Sequence, residues 1–118
     1  MDYLIEKYKN RLPKSYLIFI SENKRFYGYL DDKHGYIALW DINELQESWS
    51  ALEIQDNLGE NWFPIGSNGG GEMIVINLAS SDKELCFIPY IGMKEENADY
   101  YCDDFSELYE AITRNTLE

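Results

Sequence analysis

The stretch Trp62–Leu78, which reads Trp-Phe-Pro-Ile-Gly-Ser-Asn-Gly-Gly-Gly-Glu-Met-Ile-Val-Ile-Asn-Leu, decides the fold of this chain. Its last part, Met73–Leu78, has five apolar residues in six and is rich in β-branched side chains, so it predicts a strand. Alternate residues from Met73 would point to one face of a sheet, and those from Ile74 to the other. Because both faces are apolar, we expect this strand in the middle of a sheet covered on both sides, with Ile76 buried.

The loop before this strand is rich in glycine, with Gly66 followed by the consecutive Gly69, Gly70 and Gly71. Glycines so close together indicate backbone with positive φ or close approach by another segment, and we expect Gly70 to need one of these. A phosphate loop would continue with Lys and Ser or Thr, but here Glu72 follows. A dinucleotide fingerprint would continue into a helix rather than a strand. We therefore interpret the four glycines as a structural loop.

The size and composition of the chain predict a folded protein with one core. The 118 residues suffice for a single domain, which we place at residues 1–118. Apolar residues make up 45% of the chain and aromatic residues 15%, which argues against disorder. The segment Met1–Glu6 lacks the basic start and apolar centre of a signal peptide, and no run reaches transmembrane length. We expect a cytoplasmic protein.

The two cysteines lie in different predicted elements, Cys86 in a strand and Cys102 at the start of a helix. A disulfide between them is geometrically possible, but a reducing compartment disfavours it. Two cysteines and a single histidine, scattered along the chain, do not form a zinc pattern. We therefore expect no metal and no cofactor.

The charge of the chain is strongly negative and uneven. The net charge is −12, and residues 37–118 hold seventeen acidic residues against three basic ones. This excess disfavours binding to nucleic acid or to an anionic membrane and suits a basic protein partner. The alternative is that the acidic surface only keeps the protein soluble.

The remaining sequence predicts two hairpins with helices around them. Phe26–Leu30 and Tyr36–Trp40 form the first hairpin, and Met73–Ile88 forms the second. Asp41, with Glu44 three residues later, predicts a helix that starts with a capping box. The other expected elements are a helix over residues 2–11, a helix that begins at Pro13 and ends at Glu22–Arg25, a loop at Gln55–Asn61, an irregular acidic segment at Tyr90–Tyr101, and a last helix from Asp103 or Asp104 with Phe105, Leu108, Tyr109 and Ile112 on one face.

This order of elements resembles the SUKH superfamily, the Smi/Knr-like domain. The segment Phe63–Glu72 matches the family pattern of an aromatic residue, Pro, Ile, Gly and a Gly-Gly loop, and the apolar strand follows it. Leu12 and Pro13, with Tyr16 and Phe19 after them, match the start of the family's Leu-Pro helix. The resemblance covers nearly the whole chain.

The two ends of the match are less specific than the glycine motif. Asp103–Phe105, with Leu108, looks like the start of the family's closing helix. The family often has Asn-Gly-Gly after the Leu-Pro helix, whereas here Asn23 is followed by Lys24 and Arg25. The turn at this junction must therefore be made differently.

The resemblance implies an α+β fold with a central, largely antiparallel sheet of about four to six strands and helices packed around it. Many bacterial members are similar to immunity proteins, which bind and neutralise a polymorphic toxin domain inside the cell. Fungal members regulate cell-wall assembly through protein contacts. The family is not characteristically enzymatic, so the resemblance transfers no catalytic residue to this chain.

A search of the sequence for catalytic groups also finds no convincing constellation. His34 lies in the predicted turn of the first hairpin, where we expect a solvated side chain rather than a general base. Ser67 does not sit in a Gly-x-Ser-x-Gly elbow. Glu95 and Glu96 lie in an acidic segment that lacks the spacing of a calcium loop. A small enzyme, or a ligand-binding domain that uses the cleft beside the glycine loop, is the alternative to a binding protein.

The acidic C-terminal part is the expected contact with a partner, a basic toxin domain. Tyrosines among these carboxylates would act as aromatic anchors, which interfaces favour. The alternative is that the tyrosines pack inward and the carboxylates are only solvated. The expected partner-binding residues are Glu95, Glu96, Asp99, Tyr100, Tyr101, Asp103 and Asp104.

Overall fold

The computed structural model describes residues 3–22 and 26–116, with the side chains of residues 115 and 116 left aside. Within these ranges the chain forms a mixed set of helices and strands, interrupted by one 3₁₀ turn at Glu95–Asn97. The helices are α1 (Tyr3–Tyr8), α2 (Lys14–Ser21), α3 (Ile42–Ala51), α4 (Ile54–Leu58) and α5 (Phe105–Thr116), and the strands are β1 (Phe26–Tyr29), β2 (Tyr36–Leu39), β3 (Trp62–Ser67), β4 (Glu72–Asn77), β5 (Leu85–Pro89) and β6 (Asp99–Cys102).

The strands form one antiparallel sheet in the order β1-β2-β3-β4-β5-β6, so each strand pairs with its neighbours in sequence. The α+β prediction is therefore confirmed. Strand β4 lies inside the sheet, and Met73, Ile74, Val75 and Ile76 have no exposed surface. The prediction that the apolar strand is covered on both faces, with Ile76 buried, is confirmed.

Aromatic side chains fill the core on the side of the sheet that faces α2 and α5. The ring of Phe63 lies 5.8 Å from that of Tyr16, 5.2 Å from that of Tyr8 and 4.8 Å from that of Trp49. The ring of Phe105 at the start of α5 lies 5.2 Å from that of Tyr16. These edge-on and tilted contacts join four helices to the middle of the sheet.

Two of the predicted helices, α3 and α5, begin with an aspartate cap. Asp41 accepts a hydrogen bond from the backbone N–H of Glu44 at 2.9 Å, and the Glu44 carboxylate accepts one from the N–H of Asp41 at 3.0 Å. The capping box is therefore confirmed. At α5 the Asp104 carboxylate accepts the N–H of Glu107 at 3.0 Å, so Asp104 begins this helix.

The glycine loop connects β3 to β4, and its glycines have different structural roles. Gly69 and Gly71 have φ of +75° and +94°, which side chains rarely adopt. A Cβ on Gly66 would lie 2.2 Å from the carbonyl oxygen of Ala38, so β2 and β3 require glycine there. The expectation for Gly70 is wrong, because its φ is not positive and a Cβ would only meet a side-chain oxygen at 3.5 Å.

Several boundaries differ from the sequence prediction, and the helix expected over residues 2–11 ends at Tyr8. The loop expected to start at Gly66 starts after Ser67, because pairing with β2 and β4 extends β3. The loop predicted at Gln55–Asn61 contains the short helix α4, since Ile54 and Leu58 share a buried face. Pro13 is the N-cap of α2 rather than its first residue. The segment Asn23–Arg25, where the chain departs from the family pattern, lies outside the described residues.

The last difference is that the segment predicted to be irregular, Tyr90–Tyr101, contains the 3₁₀ turn and most of β6. The register with β5 is irregular between Leu85 and Cys86. Pairing with β5 therefore makes a strand of residues 99–102, although their sequence is acidic and lacks a clear strand pattern. Cys102 consequently lies at the end of a strand rather than at the start of a helix.

Candidate partner-binding surfaces

The seven residues expected to bind a partner lie along β6 and its flanks, a segment here called the acidic edge. Glu95 and Glu96 lie on the exposed 3₁₀ turn that precedes β6. Strand β6 pairs only with β5, so it is an edge of the sheet within the described residues. The acidic edge consists of Glu95, Glu96, Asp99, Tyr100, Tyr101, Asp103 and Asp104.

The two tyrosines of the acidic edge point in opposite directions. Tyr100 is 62% exposed, and its hydroxyl bonds to Asp103, which raises the pKa of Tyr100 to about 12. Tyr101 instead stacks on Phe87 with ring centroids 4.3 Å apart. Burial raises the pKa of Tyr101 above its ordinary value. Of the two aromatic anchors expected from the sequence, only Tyr100 is presented to solvent, while Tyr101 packs inward.

Not all of the carboxylates of the acidic edge are equally accessible. Glu95, Glu96, Asp99 and Asp103 are exposed. Asp104 is only partly exposed, and its carboxylate is used by the N-terminus of α5. The first four are therefore the carboxylates that a partner could reach.

A second surface, here called the tyrosine face, was not identified from the sequence. Tyr27 and Tyr29 are two residues apart on β1, and Tyr36 pairs with Tyr29 across the hairpin, so all three side chains leave the same face. They are 49%, 62% and 47% exposed respectively. The signal in the sequence was the period-two spacing of Tyr27 and Tyr29, which indicates one face of a strand.

A groove of about 420 Å³ lies between the tyrosine face and α3. Tyr27 and Tyr36 line it on the side of the hairpin, and Glu44 and Glu47 line it on the side of the helix. A Cβ on Gly69 would lie 2.9 Å from the ring of Tyr36, so the glycine loop closes against the same ring. The cleft beside the glycine loop that the alternative function requires therefore corresponds to this groove.

Carboxylates surround the tyrosine face. The hydroxyl of Tyr27 bonds to Glu44, and the hydroxyl of Tyr29 bonds to Asp32. The hydrogen bond to Asp32 raises the pKa of Tyr29 above its ordinary value. The Tyr29 hydroxyl is therefore an uncharged donor near neutral pH.

His34 is buried, so the expectation of a solvated side chain is wrong. Its side chain is 4% exposed, with Nδ1 2.8 Å from Asp31 and Nε2 2.9 Å from Glu107 of α5. Tyr101 donates to the carbonyl oxygen of His34 at 2.9 Å. Lys33 bonds to the same Glu107 carboxylate at 2.6 Å. This His34 cluster (Asp31, Lys33, His34, Tyr101 and Glu107) ties the turn of the first hairpin to the opposite end of the sheet.

The two carboxylates of the His34 cluster are held in their charged forms. For Glu107, the hydrogen bond from Lys33 lowers the pKa, partial burial opposes this, and the bond with His34 lowers it further. For Asp31, partial burial raises the pKa, but the backbone N–H and ring of His34 outweigh it and leave the pKa below its ordinary value. With both ring nitrogens engaged, the geometry supports a structural tie rather than general-base chemistry.

The other potential nucleophiles lack activation. Burial raises the pKa of the thiols of Cys86 and Cys102 to about 12 in each case, so both remain protonated and unreactive near neutral pH. Both are free cysteines. Among the described residues, no cluster of three or more histidine, cysteine or acidic side chains could hold a metal ion.

Another groove, of about 560 Å³, lies between α1 and the helices α3 and α4. Leu4, Trp49 and Ile54 contribute its apolar lining, and Gln46 and Glu53 contribute polar groups. The indole N–H of Trp49 is already bonded to the carbonyl oxygen of Pro64 at 3.0 Å. Its lining contains neither a histidine nor a cysteine.

The comparisons with known proteins identify a family. The model of the SMI1 / KNR4 family (SUKH-1) matches residues 3–111, which is most of the chain. No curated protein gives a significant match. In the described part of the chain, no helix has the length and apolar character needed to cross a membrane.

Proposed function

Because the chain belongs to the SMI1 / KNR4 family (SUKH-1), we propose that it is a protein-binding module, and more specifically an immunity protein that neutralises a toxin domain inside the cell. The family match over residues 3–111 is the observation that carries this proposal. The toxin-neutralising role is what the resemblance to bacterial members implies. In this proposal, residues 1–118 act as one domain without an enzymatic activity of their own.

The charge of the chain supports a basic partner. Residues 37–118 hold seventeen acidic residues against three basic ones, and exposed carboxylates line the acidic edge. An inhibitor with a negative surface can cover a basic cleft, such as that of a nuclease, and complementary charge accelerates the encounter. The exposed Tyr100 supplies an aromatic side chain of the kind that anchors interfaces. We therefore propose that the acidic edge faces the toxin.

The state of the potential catalytic groups supports binding rather than catalysis. His34 is enclosed by two carboxylates, and the thiols of Cys86 and Cys102 are buried and protonated. Ser67 bonds to Tyr90 rather than to a histidine. A catalytic serine or cysteine requires a base that activates it. The thiol of Cys86 donates to Glu84 at 3.5 Å, but this contact raises rather than lowers the pKa of the thiol.

Two alternatives remain distinguishable by experiment. A regulatory scaffold of the fungal type would bind a cellular protein without protecting cells from a toxin. A ligand-binding domain would use the groove between Tyr36 and α3, which the glycine loop adjoins. A gene for a large secreted toxin beside the gene for this chain would favour the immunity function over both.

The test is to produce that toxin domain in cells with and without this chain, and then to measure association of the purified pair over a series of salt concentrations. We expect the chain to rescue growth and the association rate to fall steeply with salt, because exposed charges are screened over about 10 Å at 0.1 M. Failure to rescue growth or to bind would contradict the immunity function.

The acidic edge is tested separately with a triple variant, Glu95→Gln, Glu96→Gln and Asp99→Asn. A matched triple variant, Asp56→Asn, Asp82→Asn and Glu110→Gln, removes the same charge from exposed positions elsewhere. We expect the first variant to slow association much more than the second. Equal effects would mean that net charge, rather than the acidic edge, attracts the partner.

A further inference from the structure

The turn that follows β5 presents an apolar side chain to solvent. Ile91 is 93% exposed, a larger fraction than that of any other large hydrophobic residue within residues 3–22 and 26–114. Its neighbours in this loop, Tyr90 and Met93, are partly buried and pack against the core. The side chain of Ile91 therefore adds almost nothing to the core, although isoleucine is a residue that turns seldom use.

Hydrogen bonds hold this turn in one conformation. The backbone N–H of Tyr90 donates to the carbonyl oxygen of Gly71 in the glycine loop at 3.0 Å. The side-chain amide of Asn97 donates to the carbonyl oxygen of Gly92 at 2.7 Å. Gly92 has a φ of +79°, which side chains rarely adopt. Because the backbone on both sides of Ile91 is tied down, binding through this side chain requires little further ordering of the loop.

The loop that carries Ile91 also carries an excess of negative charge. The bond between Asn97 and Gly92 brings the turn of Ile91 against the 3₁₀ turn at the start of the acidic edge. Interfaces combine an apolar centre with a polar rim, and this loop has both. Residues 90–99 include one basic residue, and their acidic residues, all exposed, are Glu95, Glu96 and Asp99.

We propose that Ile91 is an apolar anchor that enters a pocket of the protein partner, an inference that rests on the proposed function as a protein-binding module. The complementary site is an apolar pocket of the size of an isoleucine side chain, with lysine or arginine at its border to meet Glu95 and Glu96. The carboxylates of the acidic edge then accelerate the encounter. Ile91 slows dissociation, because its burial in the complex removes apolar surface from water.

The charge of the loop disfavours two other partners for Ile91. Insertion into an anionic membrane would place Glu95 and Glu96 against lipid headgroups of the same sign. Contact with a second copy of this chain through the same turn would bring the carboxylates of both copies together. A basic protein with an apolar pocket suits both the isoleucine and the acidic residues around it.

The experiment measures association and dissociation rates, and its probe is the purified toxin domain that also tests the proposed function. The variants are Ile91→Gln and Ile91→Val. The matched control is Ile18→Gln, which makes the same change at an isoleucine of α2 that is 45% exposed. Urea unfolding checks that each variant is folded, and Ile91→Gln should unfold like the wild type because its side chain contacts little of the protein.

We expect Ile91→Gln to weaken binding by about 10- to 100-fold, the effect of losing an isoleucine side chain that the complex buries. The loss should appear as faster dissociation, with the association rate and its salt dependence unchanged. Ile91→Val, which is shorter by one carbon, should weaken binding by only about fourfold. Ile18→Gln should bind like the wild type.

The outcomes separate this inference from the proposed function. If the wild type and Ile91→Gln bind the toxin domain equally, or if Ile18→Gln weakens binding as much, the role of Ile91 is refuted and the immunity function stands. If the wild type does not bind, both are contradicted. Self-association of the wild type in ultracentrifugation, or its binding to phosphatidylserine vesicles, would also overturn the inference if Ile91→Gln abolished it.

Discussion

The two neighbouring hairpins of the sheet, β3–β4 and β1–β2, are built from opposite kinds of residue. In the central hairpin, both faces of β4 are apolar and fully buried. In the edge hairpin, Ile37 is buried on one face, whereas Tyr29 and Tyr36 are exposed on the other. The antiparallel pairing is the same in both. The difference teaches that burial on both faces makes the central hairpin the more important for stability, while one face of the edge hairpin meets solvent.

The connections of the two hairpins differ as well. The central hairpin turns through glycines, with Asn68 accepting the N–H of Gly70 at 2.8 Å. The turn of the edge hairpin has a buried histidine, which bonds to Asp31 nearby and to Glu107 far along the chain. The first turn is specified by local backbone geometry. The second depends on contacts between distant parts of the molecule.

The largest expected effect is on stability, and it compares a side chain of the central hairpin with one of the edge hairpin. Ile76→Ala should destabilise the protein by about 2–5 kcal/mol, because it leaves a cavity in a fully covered strand. Tyr29→Thr, on the exposed face, should cost less than about 1 kcal/mol, since threonine also suits a strand. The measurement is urea unfolding of both variants and the wild type. Equal costs would break the distinction between the hairpins.

The next effect concerns the pairing of β2 with β3, which joins the two hairpins. Gly66→Ala should cost about 1–3 kcal/mol, because its Cβ would overlap the carbonyl oxygen of Ala38 on β2. The matched control is Gly70→Ala, which should change stability by no more than about 1 kcal/mol, and in the stabilising direction, because its backbone accepts a side chain. The measurement compares the midpoints of urea unfolding of the two variants with that of the wild type. A destabilising Gly70→Ala beside a neutral Gly66→Ala would reverse our assignment of the glycines.

The smallest effect concerns the His34 cluster and its response to acid. The pKa values of Asp31 and Glu107 are lower in the folded than in the unfolded chain, so their contribution is present above the ordinary carboxyl pKa and is lost as pH falls through the folded values. Glu107→Gln should therefore be less stable than the wild type near neutral pH, and its stability should fall less steeply on acidification.

The comparison is made by urea unfolding at about pH 6.5, 4.5 and 3, which spans the range where carboxylates with lowered pKa take up protons. The exposed control Glu110→Gln should retain the acid dependence of the wild type. Identical pH profiles for the wild type and Glu107→Gln would show that this carboxylate does not tie the edge hairpin to α5.

Local patterns in the sequence predicted much of this molecule. The buried strand followed from apolar residues on alternating faces of Met73–Asn77, and the start of α3 followed from Asp41 and Glu44. Each of these features depends on residues within a few positions of one another. The family pattern around the glycine loop was equally local, which is why the family could be recognised from the sequence.

The candidate sites were predicted only in part. The carboxylates of the acidic edge lie on one short segment of the chain, so the sequence alone groups them. The sequence left open whether the tyrosines pack inward, and the structure separates the two: Tyr101 lies against Phe87, while Tyr100 is exposed. The groove at Tyr36 escaped prediction, since its two sides come from β2 and α3 and close against the glycine loop.

The sequence by itself determined the α+β class, the central strand, both helix caps and the family. These follow from steric and hydrogen-bonding preferences that act over a few residues. Only the tertiary structure decided that His34 is buried against Glu107, 73 residues away, and that the tyrosines of β1 and β2 remain exposed. The reason is that the exposure of a side chain depends on which distant element packs over it. A local sequence pattern does not specify that packing.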